Sequence, residues 1–144
     1  METIKRFELK KIQTNFPAVS VSSSLDSYNF IKQFYGDDIE VFESFYILCL
    51  DQSSKTTGYA KISQGGISGT LIDIRLIAKY AVENLSSGVI LAHNHPSGQL
   101  KPSNADMDLT EKVVGGLGLL RIRVLDHIIL TKDGYYSFLD EGIL

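Results

Sequence analysis

The chain has 144 residues, 44% hydrophobic and 22% charged, with a net charge of −3. Those proportions fit a globular domain and exclude a disordered, fibrous or membrane-embedded chain. The acidic balance gives nucleic-acid binding no support, since such binders usually carry a basic excess. The single cysteine, Cys49, excludes an internal disulfide and fits a reducing compartment. It lies in the apolar run Phe45–Leu50 and reads as a small core side chain.

Met1–Lys11 is charged throughout and has no apolar core of the kind a signal peptide needs. No apolar run approaches the roughly 20 residues that span a membrane. The expectation is a cytoplasmic protein with no membrane contact. The short basic clusters Lys5–Arg6 and Lys10–Lys11 read as a solvated strand face. Nothing repeats and no Gly/Ser/Pro linker divides the chain, so a single domain over residues 1–144 is expected.

In chain order, Thr3–Gln13 reads as a polar strand with Ile4, Phe7 and Leu9 as its apolar members. As an exposed edge it would be open to pairing with another chain. Ser24 looks like the N-cap of a helix over Leu25–Tyr35, with Gly36 past its end. Glu43–Leu50 reads as a buried strand, Asp51–Lys55 as a turn, and Thr57–Ser63 as the strand that pairs back. Gly65-Gly66 breaks that strand. An amphipathic helix follows near Ile74–Leu85, with Ile74, Ile77, Ala78, Ala81, Val82 and Leu85 at core spacing. Val89–His95 is an apolar strand that runs into a Pro/Gly loop. Asn104–Leu119 is helical despite Gly115, Gly116 and Gly118; Arg121–Leu130 and Tyr135–Phe138 are strands around a Lys-Asp-Gly turn. Alternating strands and helices with a hairpin at each end argue for an α/β (α+β) fold, a mixed sheet flanked by helices.

The stretch His93-Asn94-His95-Pro96-Ser97-Gly98 carries the chemistry. Side chains two apart on a strand share a face, so both imidazoles can share an ion at the strand's C-terminal end. Asp106, one turn into the next helix, can complete a set of three, leaving a fourth position open as in catalytic zinc sites. The competing reading is structural: Ser103-Asn104-Ala105-Asp106 is also a capping box, which needs no metal. Asn94 faces away from the histidines and reads as a structural hydrogen-bonder. Ser97 lacks the context of a nucleophile elbow and reads as a turn residue. His127 reads as a buried, hydrogen-bonded histidine, with an outer role near the metal as the alternative. Arg75 reads as an exposed charge.

The spacing His93-x-His95, seven residues, Ser103, two residues, Asp106 resembles the JAMM motif of the JAB/MPN metalloprotease superfamily. His93-Asn94-His95-Pro96-Ser97-Gly98 with Pro102-Ser103 resembles its RadC-like branch. So do Glu43-x-Phe45 through Leu50-Asp51, Ser68-Gly69-Thr70, Leu125-Asp126-His127-Ile128 and Glu141-Gly142. The resemblance covers about residues 20–144 and lacks the N-terminal helix–hairpin–helix-like segment of longer members. It implies the JAB/MPN fold, related in layering to cytidine deaminases. It also implies one Zn2+ per chain on His93, His95 and Asp106, with Ser103 hydrogen-bonding the developing oxyanion. Glu43 is implied as the base. Taken alone, Glu40 is as good a candidate, and only the surrounding pattern selects Glu43.

The function implied is zinc-dependent hydrolysis of a peptide, isopeptide or related amide bond by a metal-activated water, with a protein or peptide as substrate. Two alternatives stand beside it. One is a DNA-repair-associated or nucleic-acid-related role, attached to the family's name but unsupported by charge. The other is a non-catalytic zinc-binding interaction module. An HNH-nuclease reading rests only on the spelling His-Asn-His, and a deaminase reading fails because no H-x-E or P-C-x-x-C is present.

Overall fold

A computed structural model describes residues 1–8, 10–66 and 71–144 of the chain. Among them, five strands form one sheet in the order β2-β1-β3-β4-β5. Strand β1 is Glu43–Leu50, β2 Thr56–Gly65, β3 Gly88–Asn94, β4 Arg123–Leu130 and β5 Tyr135–Ser137. The central pair β3–β4 is parallel and the other pairings are antiparallel, so the sheet is mixed, as expected. Three helices flank it: α1 Ser24–Ile31, α2 Ile74–Glu83 and α3 Asn104–Leu119. The expected bounds of β1 and α3 coincide with the observed ones.

β1 and β3 are apolar on both faces because both are covered. Phe45, Ile47, Cys49, Val89 and Leu91 pack with Ile77 and Ala81 of α2 and Val113 and Leu117 of α3. Leu48, Leu50, Ile90, Ala92, Ile128 and Leu130 pack with Phe30 and Ile31 of α1. Odd-numbered residues of β1 and β3 thus face α2 and α3, and even-numbered ones face α1, by the two-residue period of a strand. Each such buried aliphatic side chain contributes about 1.5–3 kcal/mol relative to exposure. The same alternation sends His93 towards α3 and Asn94 towards α1.

Four expectations need correction. Thr3–Gln13 forms no strand among its described residues; Ile4, Phe7 and Ile12 are fully exposed, and no neighbouring ladder receives them. The segment that does reach the sheet is Val19–Val21, which hydrogen-bonds the β1–β2 turn through Thr56 N to Val19 O and Val21 N to Ser54 O. The cap of α1 is Ser23, whose side chain accepts from Asp26 N, while Ser24 Oγ reaches Asp140 and Tyr135. That helix ends at Ile31 and tightens into a 3-10 turn over Lys32–Phe34. Finally, Val82 and Leu85 of the second expected helix are exposed: α2 stops at Glu83, and Leu85 lies beyond it with φ of 52°. The strand bounds elsewhere shift by one or two residues. Ser68-Gly69-Thr70 lies outside the described residues. No helix among the described residues is long and apolar enough to cross a membrane.

Candidate metal centre

β3, α3 and β4 form a crossover unit, and the C-terminal end of β3 is where such units gather functional groups. His93 is the penultimate residue of β3, buried between the sheet and α3. His95 follows the strand, tethered by its amide to Leu130 O at 2.9 Å. The Pro96-Ser97-Gly98 turn then reverses the chain. Gly98 takes φ of +85°, a left-handed conformation that glycine adopts without cost, and Ser97 Oγ accepts from Gln99 N. The reversal brings Gln99 O to His95 Nδ1 at 2.6 Å.

α3 opens with the expected capping box. Ser103 Oγ accepts from Asp106 N at 3.0 Å, and Asp106 Oδ2 accepts from Ser103 N at 2.8 Å. The cap does not compete with the imidazoles; it aims the carboxylate at them. Asp106 Oδ1 is 3.3 Å from His93 Nε2, Oδ2 is 3.1 Å from His95 Nε2, and the two Nε2 atoms are 3.0 Å apart. Four donors at about 2.0–2.1 Å from a tetrahedral zinc would lie roughly 3.4 Å from one another. The observed separations are close to that.

Glu43 enters from β1. The antiparallel register pairs Phe45 with His93, so two residues further along Glu43 faces His95 on the same side of the sheet. Ligand-type atoms of Glu43, His93 and His95 all lie within 4.8 Å of one another, a group that could hold a metal ion. Glu40 is elsewhere, in a 3-10 turn, with its carboxylate 3.5 Å from Lys132 Nζ at the surface. The structure therefore brings together Glu43, His93, His95, Ser103 and Asp106. Arg75 is an exposed residue paired with Asp73.

Asn94, between the histidines, is fully buried on the opposite face and spends its whole side chain on the segment carrying Glu43. Its Oδ1 accepts from Ser44 N at 2.8 Å, and its Nδ2 donates to Ile39 O at 2.7 Å and Phe42 O at 2.8 Å.

The hydrogen bonds around the imidazoles decide which nitrogens carry protons. A carbonyl only accepts, so His95 Nδ1 donates to Gln99 O, and in the neutral ring Nε2 keeps its lone pair. Thr110 Oγ1 donates to Asp106 O at 2.7 Å, one helical turn back. It therefore accepts from His127 Nδ1 at 2.6 Å. His127 Nε2, 2.7 Å from His93 Nδ1, then accepts from it, and His93 Nε2 is likewise unprotonated. Two lone pairs and a carboxylate converge with no donor between them. Such a set could hold a cation, and nitrogen and carboxylate donors at this spacing suit zinc.

Burial raises the Asp106 carboxyl, but the imidazoles of His93 and His95 outweigh it and hold the group well below the usual carboxylate range. Burial lowers His95, yet Asp106 and the Gln99 carbonyl raise it above its ordinary value: the site favours positive charge. Burial first, then His93, pushes His127 well below its ordinary value, keeping it neutral.

A family model described as the RadC-like JAB domain matches residues 21–143. The chain belongs to the RadC-like JAB family. A UPF0758 protein of Flavobacterium johnsoniae is 43% identical over 123 residues, covering 85% of this chain and 53% of that protein. One from Porphyromonas gingivalis is 44% identical over 126 residues, covering 87% and 55%. One from Aquifex aeolicus is 32% identical over all 144 residues, 59% of its own length. The chain thus spans a little over half the length of these curated relatives. A RadC-like JAB fold suggests a metal-dependent hydrolase, and the expected fold and family are both borne out.

What the sequence missed is the wiring behind this RadC-like site. Thr110 was not singled out, although it lies four residues after Asp106 and so on the same helix face. His127, read from the sequence as a buried histidine with an outer role near the metal as the alternative, is buried and in direct contact with His93.

Proposed function

We propose that this protein is a zinc-dependent hydrolase of peptide, isopeptide or related amide bonds, with His93, His95 and Asp106 holding one metal ion. The observation that carries this reading is the convergence of the His93 and His95 Nε2 atoms and the Asp106 carboxylate, which lie 3.0 to 3.3 Å from one another. Bound there, zinc would supply a Lewis acid able to lower the pKa of water towards about 7.

The chain's own residues do the rest. Glu43 is partly exposed at the rim, across from His95, and is free of any ion pair among the described residues. It takes the proton from the attacking water and passes it to the leaving amine. Ser103 Oγ accepts from Asp106 N, which leaves its own hydrogen free to donate to the oxyanion of the substrate carbonyl. One such donor is worth about 3 kcal/mol of barrier. Phe45 lies parallel to the His93 ring, their centroids 5.8 Å apart, and with buried Leu91 it keeps the inner side of the centre dry.

The test has two arms. Elemental analysis of the purified protein should give near-stoichiometric zinc, retained in Glu43→Gln and lost in His95→Ala. A panel of peptide and isopeptide substrates should then be cleaved by the wild type and not by Glu43→Gln. A wild type that cannot be loaded with zinc would overturn the reading; a Glu43→Gln variant as active as wild type would remove Glu43 from it.

A further inference from the structure

The chain Asp106 O, Thr110, His127, His93 runs through the protein interior and returns to the residue where it began. Thr110 and Asp106 are one turn apart on α3, and His127 is on β4. His127 is fully buried, stacked on Phe138 at 4.5 Å and edge-on to Phe45. The parallel register pairs Leu91 with His127, which places the His127 ring one step behind His93 on the same face. Every polar atom of this chain has a partner, and the direction of each bond follows from the single hydroxyl that must donate to a carbonyl.

We propose that His127 and Thr110 are positioning residues for metal binding, holding His93 in the form that carries its proton on Nδ1. The proposal rests on the zinc reading above and extends it to residues that do not touch the metal. Its physical content is a competition between two tautomers. With a proton on Nε2, His93 would donate to Asp106 Oδ1, 3.3 Å away, and the pair would satisfy itself with no metal. A proton on Nδ1, accepted by His127, closes that alternative and leaves the Nε2 lone pair free to bind metal. Thr110 decides between them, because its hydroxyl is committed to Asp106 O and can only accept from His127 Nδ1. The carbonyl at the start of the chain belongs to a metal-ligand candidate, so tautomer and carboxylate position are set by one helix turn.

The experiment measures zinc affinity by competition with a chromophoric chelator, for wild type, Thr110→Val, His127→Leu and His127→Gln. Histidine 15N NMR spectra of the metal-free proteins are recorded alongside. Loss of such outer-shell partners typically costs 10–100-fold in metal affinity, and that range is expected for His127→Leu. Gln retains an oxygen that can accept from His93 Nδ1, so His127→Gln should recover most of the affinity. Thr110→Val keeps the side-chain volume, which separates the effect from misfolding. It should weaken zinc binding and populate the Nε2–H tautomer of His93, whereas the wild type shows Nδ1–H. Wild-type affinity in both Thr110→Val and His127→Leu, or an Nε2–H tautomer in the wild type, overturns the proposal and leaves the zinc reading intact. A wild type that binds no zinc removes the reading and the proposal with it.

Discussion

The side-chain amide of Asn94 grips the backbone on both sides of Glu43. It accepts from Ser44 N at 2.8 Å and donates to Phe42 O at 2.8 Å, from the face of β3 opposite to the histidines. Strand β3 thereby sends its two flanking imidazoles to one side and uses the residue between them to place the glutamate from the other. Asn94 thus ties the backbone that carries Glu43 to the strand that carries His93.

Asn94→Ala should therefore separate metal binding from catalysis. It strips a partner from one buried donor and two carbonyls, and leaving such groups unpaired costs about 1–3 kcal/mol. The urea midpoint should fall accordingly, zinc content should stay near one, and hydrolysis should drop. Unchanged activity in a zinc-loaded Asn94→Ala protein would show that Glu43 does not depend on this clamp.

The two roles of the first turn of α3 can be pulled apart. Ser103→Ala removes the N-cap and should cost about 1 kcal/mol of stability while leaving zinc bound. Asp106→Asn keeps an oxygen for Ser103 N but loses the charge, so helix content should persist while zinc affinity collapses. Stoichiometric zinc in Asp106→Asn, measured after dialysis, would count against Asp106 as a ligand.

Loading and removal of the metal should move stability by mass action. At free zinc about 1,000 times its dissociation constant the folded state gains about 4 kcal/mol. The melting temperature should rise with zinc and fall with a chelator in the wild type, and not respond in His95→Ala. An equal response in both proteins would place the binding elsewhere.

The pH dependence has a definite sign. His127 is held well below its ordinary value by burial, with the neighbouring His93 adding to it. A histidine with a depressed folded pKa binds its proton in the unfolded chain first. The stability it contributes is intact above the unfolded value of about 6.5 and is lost as the pH falls below it. The maximum rate is about 1.4 kcal/mol per pH unit for one proton. His95 is raised, so its contribution runs the other way, present below about 6.5 and lost as the pH rises through its folded value. Comparing metal-free wild type with His127→Gln cancels the shared terms. Between about pH 6 and pH 5 the wild type should lose up to about 1.4 kcal/mol more than the variant in urea titrations. Parallel curves would show that His127 is not held neutral.

Much of the site was legible because it is written in short-range patterns. Two histidines two apart on an apolar strand share a face whatever the strand pairs with, and a Ser three residues before an Asp at a helix start makes a capping box from local geometry alone. The strand Glu43–Leu50 and the helix Asn104–Leu119 follow from runs long enough to outweigh local exceptions such as Gly115, Gly116 and Gly118. Where periodicity had no partner to act on, it misled. Thr3–Gln13 reads as a strand, but a strand needs a neighbour for its backbone, and the described residues of that segment have none. The family pattern around Glu43 already favoured it over Glu40, but only the antiparallel register that pairs Phe45 with His93 shows Glu43 beside the histidines. Only the parallel register of β3 and β4 brings His127 behind His93, and only α3 packing on β4 supplies the Thr110 hydroxyl that orients both. Those relationships join residues 17 to 48 positions apart in the chain, where no local pattern reaches.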